Sequence, residues 1–181
     1  MALRKASSYS KKTVVPYTRI SKKKNRAYIK AVPPKKLVKF TMGTKATYPH
    51  IISVVCDNKQ IQIRDNALEA CRQYIHKILD TSFLGQYLFK VVPVPHHIQR
   101  ENKMLTGAGA DRMQTGMQLS FGKTVGRAAI LREGEEIFHI EVMTPNAVQL
   151  VRKTIHQVKA KLPGKIKILY REIKAVKAQT P

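Results

Sequence analysis

Residues 125–173 read VGRAAILREGEEIFHIEVMTPNAVQLVRKTIHQVKAKLPGKIKILYREI, and this stretch decides the fold class. VGRAAIL and EIFHIEV are apolar, partly alternating runs on either side of REGE, which predicts two strands joined as a hairpin that turns around Gly134. Thr144 followed by Pro145 predicts a helix start, with a cap and then a first turn. KIKILYREI predicts a closing strand. Strand, strand, helix and strand in this order favour an α+β fold.

Helical spacing of apolar residues gives two helices in the whole chain. The second, after Thr144, has its buried stripe at Val148, Val151, Ile155, Val158 and Leu162. The first runs from about 64 to 79, with Asp65 placed to cap its N-terminus and apolar positions at Leu68, Cys71, Ile75, Ile78 and Leu79.

Three further apolar runs, LVKFTM (37–42), HIISVVC (50–56) and YLFKVVPV (87–94), predict strands. Pro93 and Pro95 indicate an edge or a bend in the last of them. We therefore expect one α+β domain over 37–173, a two-layer sandwich in which two helices cover one face of a mainly antiparallel sheet. An extended basic arm (1–36) precedes it and a basic tail (174–181) follows it.

Charge is the strongest functional signal of the sequence. The chain has 181 residues with 34 Lys and Arg against 11 Asp and Glu, a net charge of +23, and its first acid is Asp57. An acid-free run of this length favours neutralisation of phosphates over a merely solvated surface. No run approaches the roughly 18 apolar residues of a spanning helix, so a membrane partner is disfavoured. Cys56 and Cys71 form no Cys-x-x-Cys unit, and we expect two packing thiols in a reduced intracellular compartment.

A loop rich in small residues lies within RENKMLTGAGADRMQTGMQLSFGK, residues 100–123. Its glycines and alanines leave nothing to bury, so a partner's backbone can approach closely. Cations in or beside the loop favour an anionic partner: Arg100, Lys103, Arg112, Lys123 and Arg127. In the arm, the rings of Tyr9, Tyr17 and Tyr28 suit either stacking on bases or packing on the body.

Enzymatic interpretations are weak. GMQLSFGKT (116–124) has five residues between its glycines, whereas a phosphate loop needs four, and a strand rather than a helix follows it. The histidines form no Cys/His cluster, so we expect no metal site, no cofactor and no catalytic residue. A small nucleotide-binding enzyme and an RNA chaperone remain the alternatives to a structural RNA-binding protein.

The stretch RENKMLTGAGADRMQTGMQLSFGKTVGRAAI (100–130) closely resembles the signature of a ribosomal protein family. The family is that of the archaeal and eukaryotic large-subunit protein called ten-e, whose bacterial counterpart is ribosomal protein sixteen. Other segments follow the same family in order: PYTR (16–19), YIKAVP (28–33), KFTMG (39–43), IRDNALEACRQY (63–74) and KAKLPGKIKI (159–168). The resemblance covers nearly the whole chain.

The resemblance implies an α/β hammerhead-type sandwich in the large subunit of cytoplasmic ribosomes, bound to rRNA between the central protuberance and the peptidyl transferase region. It also implies a loop at about 102–116 that approaches tRNA acceptor ends, with roles in tRNA accommodation and late subunit maturation. Its partners would be rRNA, tRNA, neighbouring ribosomal proteins and assembly factors. The loop residues are Lys103, Met104, Leu105, Thr106, Gly107, Ala108, Gly109, Ala110, Asp111, Arg112, Met113 and Gln114.

Cations of the arm and of the loop borders are the expected rRNA contacts. They are Arg4, Lys5, Lys11, Lys12, Arg19, Lys22, Lys23, Lys24, Arg26, Lys30, Arg100, Lys123 and Arg127. The chain departs from the family at its start, at Ala31 and Thr41, and in extra residues between Arg19 and Tyr28. The Lys22–Lys24 run falls in these extra residues and predicts an added rRNA contact.

Overall fold

The computed structural model describes residues 15–101 and 122–173, which form eight strands and two α-helices. The strands are β1 (Thr41–Gly43), β2 (His50–Cys56), β3 (Gln60–Arg64), β4 (Tyr87–Val91), β5 (His97–Glu101), β6 (Lys123–Arg132), β7 (Glu136–Val142) and β8 (Ile166–Glu172). The helices are α1 (Asp65–Ser82) and α2 (Pro145–Val158). Short 3-10 turns occupy Lys24–Arg26 and Lys159–Lys161.

Two antiparallel sheets carry the strands. The larger has five strands in the order β1-β4-β7-β2-β8, and the smaller has three in the order β3-β6-β5. Helix α2 packs on β2 and β7, while α1 contacts α2 and also β3, β4 and β6. The helices therefore cover one face of the larger sheet, and α1 joins it to the smaller one. This confirms the α+β sandwich expected from the sequence.

One continuous core lies between the helices and the sheets. Phe89 and Phe138 meet edge to face at its centre with ring centroids 5.8 Å apart. The stripe of α2 is buried from Val148 to Leu162. Thr144 caps α2 as predicted, because its side chain accepts a hydrogen bond from the Ala147 N–H.

The hairpin predicted around Gly134 is wrong. The turn exists, with Gly134 at φ +82° and the Glu135 N–H donating to the Arg132 carbonyl over 3.2 Å. However, β6 pairs with β3 and β5, whereas β7 pairs with β2 and β4. Alternation of apolar residues sets which face of a strand is buried and leaves open which strand lies beside it. The two strands therefore separate into different sheets.

The expected cap at Asp65 is also wrong. The residue before the helix is Arg64, which has extended backbone and makes no side-chain cap. Asp65 is the first helical residue and is buried, with its carboxylate accepting hydrogen bonds from the N–H groups of Asn66 and Lys36. Its position in the first turn still suits the positive end of the helix dipole.

Two strand predictions need correction, and two further strands are absent from the prediction. LVKFTM (37–42) yields only the short β1, although Leu37 is fully buried. Strand β4 ends at Val91 and lies between β1 and β7, so Pro93 and Pro95 lie beyond its end, in the connection to β5, and do not mark an edge. Strands β3 (QIQIR) and β5 (HIQRE) are not predicted by the sequence, because each is short and contains only one or two aliphatic residues.

Candidate nucleic-acid interface

The smaller sheet carries the base of the glycine-rich segment. Strands β5 and β6 are antiparallel neighbours, and their last pair is Glu101 with Lys123, where both lead into residues 102–121. Arg100 lies opposite Thr124, beside a register shift after Gln99. The sheet therefore brings Arg100 and Lys123 to one end of a two-strand stem.

Tyr17 of the arm is docked on β5. Its N–H donates to His97 Nδ1 over 2.9 Å, and its carbonyl accepts from the Ile98 N–H over 3.0 Å. The guanidinium carbon of Arg100 lies 3.6 Å from the centre of the Tyr17 ring, a cation–π contact. Of the two roles considered for the arm's rings, Tyr17 packs on the body, whereas Tyr28 is 63% exposed.

The arm then crosses to β6. Arg127 donates through Nε to the Pro33 carbonyl over 2.7 Å, and the Thr124 hydroxyl donates to the Ala31 carbonyl. The Lys36 N–H then reaches Asp65 at the start of α1. Contacts with β5, β6 and α1 thus anchor the arm at Tyr17, at residues 31–33 and at Lys36.

The Lys-rich segment between Arg19 and Tyr28 forms a closed loop. The Ile20 N–H donates to the Ala27 carbonyl over 3.1 Å, and the 3-10 turn Lys24–Arg26 lies between them. The Ser21 hydroxyl accepts from the Lys23 N–H over 3.2 Å. This geometry projects several cations from one short loop.

The predicted RNA contacts within the described residues divide into two sets. Exposed are Arg19, Lys22, Lys23, Lys24, Arg26, Lys30 and Lys123. Arg100 and Arg127 are half-buried and contact Tyr17 and Pro33, so they position the arm as well as carrying charge. Arg4, Lys5, Lys11, Lys12 and the loop residues Lys103–Gln114 lie outside the described residues.

Sequence reasoning missed the anchors of the arm. His97 and Asp65 accept hydrogen bonds from main-chain N–H groups that lie 80 and 29 residues away in the chain. Long-range contacts of this kind leave no periodic signal in the sequence.

The thiols have no catalytic character. Both cysteines are buried and free, as predicted. Burial raises the pKa of Cys71 to about 12 and also raises that of Cys56. Such thiols stay protonated near neutral pH and are poor nucleophiles.

The described part of the chain has no metal cluster, no membrane-spanning helix and no helix of a phosphate loop. Residues 15–101 and 122–173 contain no group of three His, Cys, Asp or Glu side chains placed to hold a metal ion. In the same ranges, no helix is long and apolar enough to cross a membrane. A phosphate loop is followed by a helix, but here strand β6 begins at Lys123.

The model of one protein family, described as ribosomal protein L16p/L10e, matches residues 16–169. The chain belongs to the ribosomal protein L16p/L10e family. The match includes the docked arm, both sheets and both helices, and it confirms the resemblance drawn from the glycine-rich segment. Together with the relatives described next, this membership makes the chain a structural protein of the large subunit of cytoplasmic ribosomes and not an enzyme.

Archaeal relatives of this L16p/L10e chain are similar over most of their length, and each bears the name large ribosomal subunit protein uL16. A protein of Hyperthermus butylicus is 41% identical over 159 residues, covering 85% of this chain and 83% of its own. One of Methanococcus aeolicus is 40% identical over 172 residues, covering 93% and 94%. One of Staphylothermus marinus is 38% identical over 176 residues, covering 96% and 97%.

Proposed function

We propose that this L16p/L10e protein binds large-subunit rRNA through its basic arm and the stem of β5 and β6. The observation that carries the proposal is the docked arm, in which six exposed cations lie between Arg19 and Lys30. Because the first acidic residue is Asp57, no carboxylate of the arm competes with phosphate for these cations. Each cation that neutralises a phosphate releases counterions, which favours binding.

The geometry suits a folded RNA surface. The internal contacts of Tyr17, Arg127 and Asp65 hold the arm in place before RNA binds. A partly ordered arm loses less conformational entropy on binding than a free one. The arm (1–36), the domain (37–173) and the tail (174–181) are then separate parts of one rRNA-binding protein, with most phosphate contacts in the first.

The second part of the proposal concerns residues 102–116, with Lys103–Gln114 at their centre. We assign this segment to contact with tRNA acceptor ends, in support of tRNA accommodation and late subunit maturation. One feature that supports it is the GAGA run at 107–110. The other is the location that the family resemblance implies, between the central protuberance and the peptidyl transferase region. A segment without bulky side chains can lie close to a moving RNA end. Neighbouring ribosomal proteins and assembly factors complete the set of proposed partners.

Sedimentation of cell extracts tests the first part. Nearly all of the protein is expected with large subunits and whole ribosomes, even in moderately high salt. Replacing Lys22, Lys23 and Lys24 with Ala should release more protein as salt is raised, because phosphate contacts are lost. The matched control replaces Lys59, Lys77 and Lys153, which are exposed and lie outside the arm. A dominant free pool would instead indicate an RNA chaperone that acts outside the ribosome.

Deletion of residues 106–110 tests the second part. The shortened protein should fold and enter subunits, because these small residues supply little core, but translation or final maturation should slow. Thermal unfolding of the isolated protein checks the fold, and gradients check incorporation. If the deletion unfolds the isolated protein, the segment is structural and the tRNA assignment fails.

A further inference from the structure

Strand β8 is an open edge of the larger sheet. Among the described residues it pairs only with β2, in an uninterrupted register from Ile166 to Glu172. The Asp57 N–H donates to the Lys165 carbonyl, and the Ile173 N–H donates to the Pro49 carbonyl, so both ends of β8 bond toward the β2 side.

The register assigns the outward groups of this edge. In an antiparallel strand, alternate residues direct both main-chain groups to the same neighbour. Lys165 and Ile173 bond toward β2. The even-numbered residues between them therefore direct their N–H and C=O groups away from β2. These residues are Ile166, Ile168, Tyr170 and Glu172.

An apolar groove accompanies this edge. It lies between the end of α2 and β8 and is lined by Ile155, His156, Lys159, Ile166 and Ile168. Farther along, Arg152 of α2 lies over the Tyr170 ring at 5.5 Å. The side chains of the even-numbered residues of β8 therefore face the helix layer. The groove runs beside the outward N–H and C=O groups of the same residues.

Of the usual protections against strand addition, this edge has charged side chains but neither a proline nor a bulge. Leu169 on the opposite face of the sheet is 54% exposed. Proteins normally protect an open edge with charges, prolines or bulges. The charge at the centre of β8 is largely satisfied within the chain, because Lys167 pairs with Asp57 at 2.5 Å.

Charges on both faces of this edge select the partner. Exposed cations are Arg152 and Lys159 on the groove side and Lys165 and Arg171 on the opposite face, against one exposed carboxylate on β8, that of Glu172. RNA phosphates would use the cations but would leave the main-chain edge and the apolar groove unsatisfied. An extended peptide uses all three features.

We propose that an extended, acidic segment of a partner protein adds to β8 as a sixth strand of the larger sheet. Its apolar side chains lie in the groove beside Ile166 and Ile168, and its carboxylates alternate toward Lys165 and Arg171. This interface is distinct from the arm and the stem, so it does not depend on the proposed rRNA contacts.

The probe is a labelled peptide with the sequence acetyl-Glu-Val-Glu-Val-Glu-Val-Glu-amide, added to the full-length protein. Antiparallel addition places the Val residues opposite Ile166, Ile168 and Tyr170, with their N–H groups donating to β8. N-methylation of the Val residues should therefore weaken binding by about tenfold or more, because several hydrogen bonds are lost. In the matched pair of peptides, N-methylation of two of the Val residues is compared with N-methylation of the two inner Glu residues, which gives the same charge and composition and should leave the affinity nearly unchanged.

Amide hydrogen exchange and a charge reversal provide the second measurement. The peptide should slow exchange at the four outward amides of β8, and Arg171→Glu should weaken binding several-fold, while Lys77→Glu on α1 should not. Equal affinities of the two N-methylated peptides would mean attraction by charge alone and would overturn the proposal. Slower exchange with a single-stranded RNA 12-mer, but not with the peptide, would also overturn it and would indicate an RNA contact at this edge.

Discussion

At the scale of single residues, His139 on β7 links stability to pH. Its Nδ1 lies 2.9 Å from a carboxylate oxygen of Glu136, and its Nε2 lies 3.1 Å from one of Glu141. A neutral imidazole can donate only one of these bonds, whereas the imidazolium donates both. Burial lowers the pKa of His139, but the hydrogen bonds with Glu136 and Glu141 outweigh burial and raise it above 6.5.

The sign of the pH effect follows from this shift. A group whose pKa is higher in the folded state than in the unfolded state stabilises the fold fully when the pH is below its unfolded-state pKa. This stabilisation is lost as the pH rises through the folded-state pKa. We expect His139→Gln to reduce the free energy of unfolding more at pH 5.5 than at pH 8.5, measured by urea denaturation. His156→Gln on the exposed face of α2 is the matched control. An equal loss for His139→Gln at both pH values would contradict the shift.

At the scale of elements, two glycines have the same left-handed backbone conformation but different surroundings. Comparing them separates the cost of a steric clash from the cost of backbone strain. Gly43 ends β1 at φ +85°, and a Cβ there would lie 2.2 Å from the Tyr87 carbonyl oxygen, a main-chain atom that accepts the Thr44 N–H. Gly134 has φ +82° in the turn before β7, with no atom within 4 Å of such a Cβ.

We expect Gly134→Ala to cost about 1–2 kcal/mol, the penalty of left-handed backbone for an L residue. Gly43→Ala should cost about 1–3 kcal/mol more, because the β1–β4 pairing must also shift to admit the methyl group. Denaturant unfolding of the two variants beside the parent measures both. Equal losses of unfolding free energy in the two variants would show that the backbone near Gly43 shifts to admit the methyl group at no energetic cost.

The same elements show how far the sequence predicts this structure. Both helices and most strands follow from periodicity, and the Thr144 cap follows from local chemistry. The partners of β6 and β7 do not, because the turn at Gly134 is compatible with a hairpin and with strands that separate. The sequence also predicts that the arm is basic. It does not predict that Arg127 bonds to the Pro33 carbonyl, 94 residues away in the chain.

At the scale of the whole molecule, charge is distributed unevenly over one fold. The net charge of +23 includes 14 cations before the first acid at Asp57, and the structure holds part of this segment on the smaller sheet. The proposed peptide edge at β8 lies on the other sheet. The proposed RNA binding and protein binding can therefore be weakened by separate substitutions. The salt dependence of RNA binding distinguishes phosphate contacts of the arm from the effect of net charge.

We expect the affinity for large-subunit rRNA to fall steeply with salt. Replacing Lys22, Lys23 and Lys24 with Ala should reduce the log–log slope by about 2–3, since each phosphate contact contributes about 0.7–0.9. Replacing Lys59, Lys77 and Lys153 removes the same net charge outside the arm and should change the slope much less. Filter binding across a salt series measures both. Equal reductions would mean that the rRNA responds to total charge alone, and the arm would then have no special place in binding.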